Sequence, residues 1–206
     1  MMISWATENW WRCDMKILLL APKGFEILEF SALFDVLAWA DKEFGYGTEV
    51  VTCWFQKQVV STFGVSLTVD AVIGDINLDE YSALAVPGGF EEYGFYEDVY
   101  SDSFLNIIRE FHNRNKIIAS VCVGALPLGK SGILAGKRAT TYFSKDGYRQ
   151  KELASFGVAV VNEPIVIDGN IITSNSPGTA IDVAFKFLEM LTNHEKTEQV
   201  KASMGF

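Results

Sequence analysis

Ile117-Ile118-Ala119-Ser120-Val121-Cys122-Val123-Gly124-Ala125 sets the architecture of this chain. An apolar, β-branched run reads as a buried strand. It ends at Cys122, small residues follow at once, and Leu126–Leu134 opens as a helix. A cysteine on a tight strand-to-helix turn is held over the sheet edge, beside backbone N–H groups and a helix N-terminus. That setting favours thiolate over thiol. Serine hydrolases place their nucleophile on the same kind of elbow. The competing reading is a packed core cysteine.

Working outward, strands and helices alternate. Lys16–Leu20 reads as a strand ending in Ala21-Pro22-Lys23-Gly24, and 26–43 as an amphipathic helix. Residues 49–55 read as a strand, 59–70 as a hairpin-like pair, and 82–86 as a strand closed by Pro87-Gly88-Gly89. A helix is expected over 102–115, a strand over 137–141 and a helix over 145–156. Short strands follow at 158–161, 165–167 and 171–173, and a last long helix, capped by Ser176 or Thr179, at 179–191. This alternation predicts an α/β fold, a mostly parallel sheet with helices on both faces. Ligands of such sheets bind beyond the carboxyl ends of the strands. The loop 21–26, the Pro87-Gly88-Gly89 turn and the Cys122 elbow therefore converge on one edge.

The chain of 206 residues is 49% hydrophobic and 21% charged, which fits one domain with a real core. The expected division is an extension over 1–14, upstream of a start at Met15, and a single domain over 15–206. The rival for the extension is a tryptophan-bearing arm docked on the fold or a partner. A net charge of −9 with scattered basic residues argues against nucleic acid or anionic membranes as partners. No apolar stretch is long enough to span a bilayer, and residues 1–14 lack a signal-peptide pattern. Cys13, Cys53 and Cys122 are widely spaced, without C-x-x-C or Cys/His clustering. A disulfide framework, a zinc site or any other metal is not expected, and a reducing cytoplasm is the simplest home.

Four pieces in order resemble the DJ-1/PfpI (ThiJ) superfamily from about Lys16 to the C-terminus. They are Gly24-Phe25-Glu26 with Asp35-Val36-Leu37, Val86-Pro87-Gly88-Gly89, the elbow Ala119–Ala125, and Ser174-Asn175-Ser176-Pro177-Gly178-Thr179-Ala180. The last is similar to the DJ-1 and YajL-like branch. The resemblance implies a flavodoxin-like three-layer α/β/α sandwich, a homodimer, and no cofactor. It implies a catalytic Cys122 with a protonated carboxyl, assigned to Glu26, donating to its sulfur. Glu29 is the competitor on the same helix, and helix capping is the bland role for Glu26. Backbone N–H groups of Gly89 and Val123 would form an oxyanion hole, and Gly88, Tyr142, Pro177 and Gly178 would shape the pocket. Phe25, Phe90, Tyr93, Phe95 and Tyr96 are expected either to line an aromatic pocket or to form an interface.

The chain departs from the family in places. Val123 follows the cysteine where the protease-like branch has histidine, which disfavours a peptidase. Tyr142 stands where the DJ-1 branch has histidine, and phenol is a poor base at neutral pH. The isonitrile hydratase-like branch resembles 120–141, but has Thr for Val123 and Asp for Glu26. Neither His112 nor His194 matches a family base. The expected substrate is a small electrophile such as methylglyoxal, handled by glyoxalase or deglycase chemistry. The alternatives are a non-enzymatic redox sensor or stress chaperone using oxidation of the same cysteine, or a binding module that uses the pocket without chemistry.

Overall fold

In the computed structural model, which describes residues 15–206, the apolar run Lys16–Leu20 forms the strand β1 at the centre of the sheet. Ile17, Leu18, Leu19 and Leu20 are all fully buried, because helices cover both faces of a parallel sheet. Leu18→Ala would cost about 2–5 kcal/mol there. The other strands are β2 (Val50–Trp54), β3 (Gln58–Val60), β4 (Ser66–Thr68), β5 (Ala71–Val72), β6 (Tyr81–Val86), β7 (Ile117–Ser120), β8 (Arg138–Ala139), β9 (Ala159–Val160), β10 (Ile165–Asp168) and β11 (Ile171–Ser174). The helices are α1 (Ile27–Lys42), α2 (Phe95–Val99), α3 (Asp102–Asn113), α4 (Ala125–Lys130), α5 (Tyr148–Ser155), α6 (Ala180–Leu191) and α7 (His194–Met204).

The main sheet has seven strands in the order β10-β11-β7-β6-β1-β2-β5. All pairs are parallel except β10 with β11. Helices α1, α6 and α7 pack together as one layer, and α2–α5 form the other, with β7 touching both α3 and α6. This is the expected flavodoxin-like α/β/α sandwich. From β1 the chain moves outward to β2 and β5, then returns to β6 on the other side of β1 and continues to β7. The order therefore reverses between β1 and β6, and the crevice at such a switch point is where open α/β sheets bind ligands.

Several boundaries differ from the sequence reading. Helix α5 starts at Tyr148 rather than 145, because Lys145, Asp146 and Gly147 all take left-handed conformations that a helix cannot include. Helix α4 stops at Lys130, ahead of Gly132 at φ +92°. Neither Ser176 nor Thr179 caps α6 through its side chain. Thr179 Oγ1 donates instead to the Ser176 carbonyl, inside a 3₁₀ turn over Pro177–Thr179. Helices α2 and α7 were not expected; α2 is a single short turn and α7 has a weak apolar stripe. The expectations for Cys13 and for 1–14 lie outside the described residues.

Candidate active site

The three loops do converge. Glu26 N–H donates to the Gly88 carbonyl at 2.8 Å, and Phe90 N–H to the Gly24 carbonyl at 3.1 Å. These bonds form a one-residue antiparallel bridge between Phe25 and Gly89. In such a bridge the paired residues' own N–H groups point away from the partner segment. The Gly89 N–H is thereby turned away from the first loop, and Gly89 lines a cavity. Val121 N–H donates to the Val86 carbonyl, joining the β7 and β6 ends. Gly124 is needed at this junction, since a Cβ there would lie 2.6 Å from the Val86 carbonyl oxygen.

Cys122 is at φ +55°, a conformation rare for a side-chain-bearing residue. Such strain persists where surrounding structure enforces it, and it clusters at functional sites. Here Thr141 Oγ1 donates to the Cys122 carbonyl at 2.9 Å and pins the elbow. The sulfur accepts from the Val123 N–H.

The carboxyl beside the sulfur belongs to Glu29, which corrects the assignment to Glu26. Glu26 precedes the helix with extended backbone and turns its carboxyl onto the Leu28 N–H, capping α1. Glu29 is one turn further on. It shares the buried stripe of Leu33, Val36 and Ala40, spaced i+4, i+7 and i+11, which faces the sheet. That register carries Glu29 to the strand ends, where Gly88 N–H donates to its Oε2 at 2.5 Å. The carboxyl also interacts with the Cys122 thiol, while Oε1 has no hydrogen-bond partner among the described residues. Burial pushes the Glu29 carboxyl up to about 8, against the lowering effect of the Gly88 N–H. Gly88 leaves room for it, since a Cβ there would sit 2.9 Å from Glu29 Oε2.

The thiol differs from its sequence expectation too. Burial pushes Cys122 well up from the usual thiol range, and the neighbouring Glu29 charge adds to this, while the Val123 N–H opposes it. Elbow geometry alone would favour thiolate; removal from water outweighs it. Glu29 and Cys122 thus act as a coupled pair, whose protons leave in steps that belong to both groups.

The pair lies on a cavity of about 180 Å³. Tyr142 and Pro177 line it, with Val123, Phe90 and Tyr96. Gly178 does not; it faces a separate depression beside Leu28 and Ile181. Gly88 acts from behind, through Glu29. Of the five flagged aromatics, Phe25 and Phe95 are core, Phe90 and Tyr96 line the cavity, and Tyr93 packs with Phe63 on the surface. His112 lies in α3 and His194 opens α7, so neither lines the cavity. The sequence reading missed Lys145, Tyr148 and Arg149 in the wall. Read as part of an amphipathic helix over 145–156, nothing distinguishes them from solvated residues.

A cysteine elbow with a buried carboxyl, at the switch point of a parallel sheet, defines a class of cysteine-carboxyl proteins on a flavodoxin-like scaffold. The sequence model of the DJ-1/PfpI family matches residues 15–190, and the chain belongs to that family. It is 31% identical to Deglycase PfpI of Pyrococcus furiosus, over 86% of this chain and 99% of that protein. It is 29% identical to Protein dj-1beta of Drosophila melanogaster, over 89% of this chain and 92% of that protein. The crystal structure of Drosophila melanogaster DJ-1beta superposes with a TM-score of 0.81 at 27% identity, covering 93% of this chain and 97% of that one. Among the described residues no helix is long and apolar enough to cross a membrane.

Proposed function

We propose that this protein is an enzyme that uses Cys122 and Glu29 to convert a small α-oxoaldehyde such as methylglyoxal, by glyoxalase or deglycase chemistry. The observation that carries the reading is the Glu29 carboxyl, held by Gly88 N–H against the thiol at the floor of a cavity. The relatives named as deglycases support it. When the pair has lost one proton, its thiolate–carboxylic acid form is the reactive one. The sulfur attacks the aldehyde carbon, an S–C bond forms, and the carbonyl π pair moves to oxygen. That oxygen takes the Glu29 proton and gives a hemithioacetal. The Gly89 and Val123 N–H groups would stabilise the developing oxyanion. Glu29, now a carboxylate, takes the C1 proton and returns it at C2 through an enediol, while the C1 hydroxyl proton passes to the C2 oxygen, so that C1 becomes the thioester carbonyl and C2 carries the hydroxyl. The resulting thioester is hydrolysed by water, which releases a 2-hydroxy acid and the free thiol. Turnover of methylglyoxal to lactate, lost in Cys122→Ser, supports the mechanism; equal turnover in that variant contradicts it.

A second reading is a redox sensor. No histidine lines the cavity, so the site lacks the usual neutral-pH base. Oxidation to a sulfinate would instead use Glu29 and the Val123 N–H as donors. Mild peroxide followed by mass spectrometry tests it: oxidation confined to Cys122 is expected, and equal oxidation of Cys53 counts against it. The proposal includes a cytoplasmic homodimer, supported by free Cys53 and Cys122 and by the exposed Phe63–Tyr93 contact. Sedimentation of a monomer at micromolar concentration would remove the dimer.

A further inference from the structure

Arg149 is more than nine-tenths buried, yet it lies in the wall of the Cys122 cavity. Its guanidinium is stacked against two rings, 4.1 Å from the Tyr96 centroid and 4.5 Å from that of Tyr148. One amino group donates to Glu152 at 2.7 Å and the other to Glu91 at 2.8 Å. Glu152 also accepts from Tyr100 Oη at 2.5 Å. Glu91, Tyr96 and Tyr100 all belong to the segment after β6, whereas Tyr148, Arg149 and Glu152 belong to α5. Arg149 thus joins, alongside the Tyr100–Glu152 bond, two chain segments that both contribute residues to the cavity wall. Only a planar, forked cation can make both in-plane bonds and both stacking contacts; lysine cannot.

We propose that Arg149 is a specificity-determining residue of the Cys122 site: by tying α5 to the segment after β6 it fixes Tyr96 and Tyr148 as a wall that excludes bulky electrophiles. This rests on Cys122 being the reacting group, as proposed above. It assigns the size limit to a residue that touches neither the sulfur nor Glu29. The wall is held from behind, so replacing Arg149 lets the rings swing away and leaves the Cys122–Glu29 contact in place.

The test is the ratio of Cys122 alkylation rates by N-methylmaleimide and N-pyrenylmaleimide, read by mass spectrometry. In each reaction the thiolate adds across the maleimide double bond, and the adjacent carbon takes a proton from water. The wild-type protein should strongly favour the small reagent. Arg149→Met should reduce that preference by about tenfold or more, the scale on which pocket fit discriminates between reactants. Arg149→Lys should fall close to Arg149→Met, because charge alone does not rebuild the fork. Tyr148→Ala removes one ring directly and should relax the ratio even if the Arg149 variants fold poorly. An unchanged ratio in Tyr148→Ala and in a folded Arg149 variant overturns the proposal while leaving Cys122 reactive. Labelling of Cys122 by neither reagent overturns the reactive-cysteine reading, and the size limit falls with it.

Discussion

Cys53 and Cys122 are both free, both buried, and both near the carboxyl ends of parallel strands of one sheet. Their surroundings nevertheless differ in kind. Cys53 lies within β2, paired in register with Leu20 and Ala71, and burial pushes its thiol up to about 12. It behaves as a small apolar side chain. Cys122 sits two residues beyond the end of β7, at positive φ, with a backbone N–H on its sulfur, a carboxyl beside it and a cavity in front. Burial alone therefore does not separate an inert thiol from a candidate nucleophile. The separation comes from the turn of the chain just past the strand end and from what the neighbouring loops deliver there.

Removing each thiol in turn separates the two cysteines most strongly. Cys122→Ser should reduce turnover of a small α-oxoaldehyde by about 10³-fold or more, since no covalent adduct can form readily. Cys53→Ser should leave the rate nearly unchanged and show its effect in thermal unfolding. Next in size is the carboxylate pair. Glu29→Gln should lower kcat/KM by about 10²–10⁴-fold, the usual worth of a positioned acid–base group, and Glu26→Gln by far less. Steady-state kinetics on the two variants check this, and equal losses would dissolve the distinction between them.

Stability against pH gives a third, smaller effect. The Glu29 carboxyl titrates at about 8 when folded, against 4.5 when free. Between those values the folded state holds a proton that the unfolded state has released, so stability falls as pH rises. The contribution is fully present below pH 4.5 and lost by about pH 8, at a slope of up to about 1.4 kcal/mol per pH unit. Urea unfolding across that window should show a flatter profile in Glu29→Gln than in the wild type. The smallest expected effect is at the cap: Glu26→Ala should cost about 1 kcal/mol, by loss of the Leu28 N–H contact.

Much of the scaffold was legible because hydrophobic period and turn residues agree along the chain. Ile17–Leu20 is a continuous apolar run closed by Ala21-Pro22-Lys23-Gly24, and β1 forms over Lys16–Leu20 as read. The elbow was legible because small residues after a β-branched run leave little alternative. The partner of the cysteine was harder. Glu26 and Glu29 are both in or next to the first helical turn, and a motif-spacing argument favoured the first. The deciding fact is rotational: Glu29 is in phase with Leu33 and Val36, so the packing that buries those residues also buries its carboxyl. Arg149 was illegible for a different reason. Its burial depends on Glu91 and Tyr96, more than 50 residues away in the chain, and no local pattern encodes that meeting.

The proposed chemistry requires that Glu29, and not Glu26, share its protons with Cys122. The direct measurement is the pH dependence of Cys122 alkylation by a small maleimide in the wild type, Glu29→Gln and Glu26→Gln. The predicted wild-type profile has two steps, the first near pH 8, where the pair loses its first proton. Glu29→Gln should collapse it to a single step, and Glu26→Gln should keep both. A single wild-type step that Glu29→Gln leaves in place, or a collapse caused by Glu26→Gln, would contradict the claim.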